Sequence, residues 1–167
     1  IVAGYASTAI VDQEGEMLPV ETLHAAWEKF IASDFPIITL SHEDVPIGKV
    51  LLEYTDRFGT VYKSGVDNHG LYVISKLRSD TQTANELWAQ IERMGGRGAY
   101  SISGASKTEP TTCFTEKGER YYRYEPGTVE FHSITIGRGG EKGANPQALF
   151  QIVKLKKPIS KRILRVR

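Results

Sequence analysis

Leu23, Trp27 and the pair Phe30/Ile31 fall at three- and four-residue steps, the spacing of one face of an α-helix. That spacing predicts a helix over residues 20–31, with Pro19 at its first turn, where a missing N–H costs nothing. A second stripe, Leu87, Ile91 and Met94, predicts a helix over 83–94 with Gly95 as its stop. Elsewhere apolar residues come in short runs or alternate with polar ones, as strands require. Strands are expected over 1–8, 47–54, 61–64, 71–77, 100–103, 120–124, 129–136 and 149–155, and a short apolar run covers 35–40. Asp56-Arg57-Phe58-Gly59 and Asp67-Asn68-His69-Gly70 are turn chemistry, and 109–118 reads as a polar loop. Two helices among many strands, without regular alternation, imply an α+β fold. The expected architecture is a mostly antiparallel, barrel-like sheet flanked by a few helices. No Gly-rich loop is followed by the Lys that a phosphate cradle needs, so nucleotide binding has no support.

Composition narrows the class without naming a function. The 167 residues, 40% hydrophobic and 25% charged, suit one ordinary globular domain. No apolar run approaches the roughly 20 residues of a membrane span, so no membrane partner is expected. A lone cysteine, Cys113, rules out an internal disulfide and fits a reducing compartment. The net charge of +1 hides an asymmetry. After Glu141 every charged residue is basic, eight of the 21 Lys and Arg, which leaves 13 basic residues against 20 acidic ones before them. The chain therefore divides into a domain over 1–155 and a basic C-terminal tail over 156–167. The tail has no aromatic residue to stack on bases, so no specific nucleic-acid partner is expected.

Candidate chemistry sits on few residues. Of the four histidines, His24 lies within the first helix beside its apolar stripe, and His69 precedes a turn glycine. His42 follows the apolar run Ile37-Ile38-Thr39-Leu40 and opens a polar loop, a placement that holds an imidazole firmly yet lets it face a cleft. Histidine there suits a general base. The stretch Ala99-Tyr100-Ser101-Ile102-Ser103-Gly104 follows a Gly-rich helix end, and alternation puts Ser101 and Ser103 on one strand face. Either hydroxyl is a candidate nucleophile if a base lies within reach. In Glu130-Phe131-His132 the acid and the imidazole share a face, and either could fix the tautomer of a base. His42 with Glu43 and Asp44 is the one cluster of ligand types, but no metal-ligand spacing appears; no metal and no cofactor are expected. Cys113 lies in a polar loop with no elbow to present a thiolate.

Taken in order, these pieces resemble the phage prohead maturation proteases. The likeness is to the branch typified by the phage HK97 protease and its XkdF-like relatives, related in fold to herpesvirus assemblin. Val2-Ala3-Gly4-Tyr5-Ala6 with Asp12-Gln13-Glu14-Gly15-Glu16 resembles the family's first strand and its acidic turn. Ser41-His42-Glu43 with Pro46-Ile47-Gly48-Lys49-Val50 resembles its catalytic-histidine segment, and the stretch from Gly98 to Gly104 its nucleophile segment. Gly143-Ala144-Asn145-Pro146-Gln147-Ala148, then Phe150-Gln151-Ile152-Val153-Lys154, resembles its closing segment and final strand. The resemblance implies a serine endopeptidase with Ser101 as nucleophile and His42 as general base; Ser103, where the family often has Gly, stays the alternative hydroxyl. It implies Glu130 as the third member with His132 as its rival, since the assemblin branch uses a second histidine. Gly137-Arg138 resembles the assemblin element that helps hold the oxyanion. It further implies scaffold and major capsid proteins as substrates, with self-processing. A homo-oligomer is expected, working in the phage procapsid interior or host cytoplasm. The alternative is a non-enzymatic capsid- or scaffold-binding module on the same fold with a degenerate site. An esterase or amidase is disfavoured, because Ala99 stands where that class has the first glycine of its elbow.

Overall fold

The computed structural model describes residues 1–33 and 36–153. The basic tail at 156–167, Phe35 and the end of the last expected strand fall outside them. The elements run β1 (Val2–Thr8), β2 (Glu16–Met17), α1 (Val20–Ala32), β3 (Ile37–Leu40), β4 (Pro46–Leu51), β5 (Glu53–Thr55) and β6 (Val61–Lys63). They continue with β7 (Gly65–Val66), β8 (Gly70–Leu77), α2 (Gln82–Arg93), β9 (Arg97–Ser106), β10 (Thr111–Phe114), β11 (Arg120–Arg123), β12 (Val129–Ile136) and β13 (Leu149–Ile152). The fold is α+β, as its periodicities predict.

Seven strands close a barrel in the order β1-β13-β9-β12-β3-β4-β8, and β8 pairs back onto β1. Every barrel pairing is antiparallel except β12 with β3. Closure gives each of the seven strands a neighbour on both sides over at least part of its length. Val2, Ile38, Leu40, Val73, Tyr100 and Ile134 are fully buried and form the heart of the core. The α1 stripe is buried at Leu23, Trp27 and Phe30, and Phe30 meets Phe131 of β12 edge to face at 6.4 Å between centroids. Thr81 caps α2, its Oγ1 accepting the Ala84 N–H at 3.3 Å. The helix stops where Gly95 donates its N–H to the Glu92 carbonyl and Gly96 donates to Ile91, which feeds the chain directly into β9.

Three differences from the sequence expectations have physical causes. The expected loop at 109–118 holds β10, paired with β11 as an exposed hairpin; Phe114 is 65% exposed, so no apolar alternation marks it. The run 47–54 breaks at Leu52, 56% exposed, into β4 and β5, and β5 pairs with β6 in a separate two-stranded sheet. The strand expected at 100–103 is ten residues long, because β13 pairs with its start at Arg97–Ala99 and β12 holds the serine- and glycine-rich remainder, poor strand formers by composition, as far as Ser106.

Candidate active site

His42 sits in the turn that joins β3 to β4. The Leu40 carbonyl accepts the Glu43 N–H at 2.8 Å, and the two residues between them, Ser41 and His42, have φ of 47° and 61°. Paired left-handed residues define the tight hairpin turn that asparagine and glycine favour. Serine and histidine take it up here at a cost of about 1 kcal/mol or more each. The neighbourhood clamps the turn. Ser41 donates its N–H to the Ile136 carbonyl at 2.8 Å, and His42 donates its own to Thr135 Oγ1 at 2.9 Å. Ser41 Oγ accepts the Arg138 N–H at 3.0 Å. His42 itself is exposed.

Ser101 lies on β9 directly opposite Thr135 of β12, so register alone brings it beside the His42 turn. Its neighbour Tyr100 points the other way and is fully buried, with its hydroxyl 2.7 Å from Ser75 Oγ and its ring 4.8 Å from that of Phe150. Burial pushes the Tyr100 hydroxyl well above the usual tyrosine range, against the hydrogen bond to Ser75. One residue thus nails the strand into the core, and the next presents a hydroxyl to a cleft.

That cleft measures about 370 Å³, the size of a small-ligand or peptide subsite. His42 and Ser101 both line it, with Lys142, Gly143 and the acidic turn Asp12–Glu16 around them. The turn is preorganised: Asp12 Oδ1 accepts the N–H groups of Glu14 and Glu16, each at 2.9 Å. Tyr124 donates its hydroxyl to Glu16 Oε1 at 2.9 Å, and its pKa is pushed up to about 12, by burial first and then by Glu16. A contiguous depression continues from these residues along Ile102, Gly104 and Ser106 of β9.

The closing segment forms the roof. Asn145 Nδ2 donates to the Thr8 carbonyl at 3.0 Å and its Oδ1 accepts from Thr8 Oγ1, while Gln13 donates its N–H to the Ala144 carbonyl at 3.0 Å. These bonds lay Gly143 across Ser101. A Cβ at position 143 would stand 2.9 Å from Ser101 Oγ and 3.0 Å from its Cβ. Gly143→Ala should therefore leave the melting temperature within a few degrees of wild type, while turning the Ser101 hydroxyl aside; if Ser101 is the serine that a probe labels, that labelling should slow about tenfold or more. Thermal melts beside rates of serine-probe labelling check both halves.

The structure gathers some candidates and not others. Ser103 shares the face of Ser101 but pairs with Ser133 and does not line the cleft. Glu130 pairs with Ala105, and His132 falls at a bulge in the ladder between Phe131 and Ser133. Both are exposed, neither lines the cleft, and among the described residues neither is hydrogen-bonded to His42. The structure thus does not bring Glu130 to His42: four residues of strand, about 13 Å, separate Ala105 from Ser101. Arg138 is likewise displaced from its expected place. Its guanidinium faces Glu43 at 3.5 Å, half exposed, because Gly139 and Gly140, at φ 56° and 80°, turn the chain back at that point. The cation that lines the cleft is Lys142.

Sequence reasoning passed over Thr135 and Lys142. Thr135 carried one legible signal, a hydroxyl between two buried isoleucines in a strand. Lys142 carried none beyond its place before Gly143. Among the described residues no three His, Cys, Asp or Glu side chains converge as metal ligands, and no helix is long and apolar enough to cross a membrane. No protein-family model matches the chain, and no curated protein matches it.

Proposed function

We propose that this chain is a serine endopeptidase of the prohead maturation type, with the assemblin-like version of the barrel. The observation that carries the reading is the meeting of Ser101 and His42 in one cleft, from strands that only register and a clamped turn bring together. Ser101 Oγ attacks a peptide carbonyl while His42 takes the hydroxyl proton. The imidazolium then gives that proton to the leaving amine, and water cleaves the acyl-enzyme by the same route. On this reading Lys142, which lines the same cleft, and main-chain N–H groups near Ser101 and Gly143 meet the developing oxyanion. Among the described residues Ser101 Oγ makes no hydrogen bond to His42; such contacts tighten when substrate fills a site. Substrates on this reading are scaffold and major capsid proteins in an immature phage head, cut by a homo-oligomer, with the basic tail a docking or self-cleaved segment.

A second reading, a capsid- or scaffold-binding module with a degenerate site, has one observation in its favour: His42 has no carboxylate or imidazole partner among the described residues. A fluorophosphonate serine probe with peptide mapping decides between them. The peptidase reading expects label on Ser101 in wild type and at least about a hundredfold slower labelling in His42→Ala. No label on wild type, even with scaffold protein added, supports the binding module instead.

A further inference from the structure

We propose that Thr135 is the positioning residue for His42, acting through the His42 main chain rather than its ring. The chemistry of this inference rests on the peptidase reading; its geometry does not. Thr135 is 1% exposed, and Ile134 and Ile136 on either side of it are fully buried in the core. It is the register partner of Ser101 on β9 and of Thr39 on β3, so it stands at the middle of a row of hydroxyls across three strands. Diagonally from that row, Thr39 Oγ1 lies 3.1 Å from Ser133 Oγ, two residues before Thr135 on β12. These small polar side chains occupy the barrel face turned from the core, where aliphatic residues would pack equally well in volume. A hydroxyl at position 135 has a use that an aliphatic group lacks: it accepts the His42 N–H at 2.9 Å.

That bond lands where the turn is least content. Ser41 and His42 both occupy the left-handed region that a Cβ disfavours, and such a pair persists only where its surroundings hold it. Ser41 is held by Ile136 and Arg138, and Glu43 by Leu40 and Arg138. His42 is held, among the described residues, by Thr135 alone. The residue opposite the nucleophile therefore also fixes the backbone of the base. His42 is exposed, so water can replace the lost acceptor and the fold survives without it. What is lost is the direction in which the imidazole leaves the chain.

Thr135→Val keeps the shape and removes the acceptor; Thr135→Ser keeps the acceptor and removes a methyl. Amide hydrogen exchange at His42 and fluorophosphonate labelling of Ser101 are measured on wild type and both variants. The expected result is a protected His42 amide in wild type and Thr135→Ser, with labelling rates within about twofold of each other. Thr135→Val should lose the protection and label about tenfold more slowly, with a cooperative melt retained. Wild-type labelling in Thr135→Val, or equal losses in Thr135→Ser and Thr135→Val, overturns the inference. So does a freely exchanging His42 amide in wild type, a result that needs no variant to fold. Labelling that ignores His42→Ala sinks the peptidase reading instead, and the exchange data still decide whether Thr135 holds the turn.

Discussion

Ser101→Ala should abolish both probe labelling and peptide cleavage, a fall of about a millionfold, while the protein melts within a few degrees of wild type. The size of the first effect follows from the role the peptidase reading gives Ser101: with the acyl acceptor gone, residual rates come only from binding and oxyanion contacts. The smallness of the second follows from the surroundings. Ser101 is partly exposed, and among the described residues its hydroxyl makes no hydrogen bond whose loss would strand a buried partner. Ser103→Ala is the matched control. It removes a hydroxyl two residues away on the same face, outside the cleft, and should leave labelling unchanged. Cleavage that survives in a folded Ser101→Ala protein and disappears in Ser103→Ala would move the nucleophile to Ser103. Cleavage surviving in both would remove serine chemistry from this face altogether.

The architecture was legible where burial writes a period into the chain. The α1 stripe and the first half of β12 each carry one, the buried runs of β1 and β8 read as strands by their length, and the α+β reading follows from them. It failed where strands are exposed or built of glycine and serine, as in β10 and the length of β9. For the site, residue type pointed to Ser101 and His42, and the barrel brings both to one cleft. Relations between strands were not legible. The bulge beside His132 resets the phase of β12, and register rather than alternation decides which residue faces Ser101. That residue is Thr135, while Glu130 stands well along the ladder. The Gly139-Gly140 reversal was equally hidden: it sends Arg138 outward to Glu43 and brings Lys142 to the cleft.

Tyr100→Ala should cost about 3–5 kcal/mol, enough to lower the melting temperature of a domain this size by about 10 °C or more. Tyr100 is the largest side chain with no exposure at all. Its loss would leave a cavity against Phe150 and strand the Ser75 hydroxyl, itself fully buried, without its partner. Because Tyr100 precedes Ser101, the same cavity loosens the strand that presents the Ser101 hydroxyl, so labelling should fall with stability. Tyr100→Phe separates the two terms. It keeps the ring, loses the buried hydrogen bonds of the hydroxyl with Ser75 and the Val73 carbonyl for about 1–3 kcal/mol, and should still label at Ser101. The variant also carries a pH signature. Burial raises the folded pKa of Tyr100, so the stability it contributes is fully present below the unfolded value near 10 and is lost as pH rises beyond it. Tyr5, held up to about 12 by its hydrogen bond to Asp67, and Tyr124, also near 12, act in the same direction. Melting temperature plotted against pH should therefore fall above about pH 10 in wild type. It should fall less steeply in Tyr100→Phe, since one of the groups that must ionise on unfolding is gone. Equal slopes would mean that the Tyr100 hydroxyl reaches solvent in the folded protein, and that β9 is not anchored beside Ser101 in the way described.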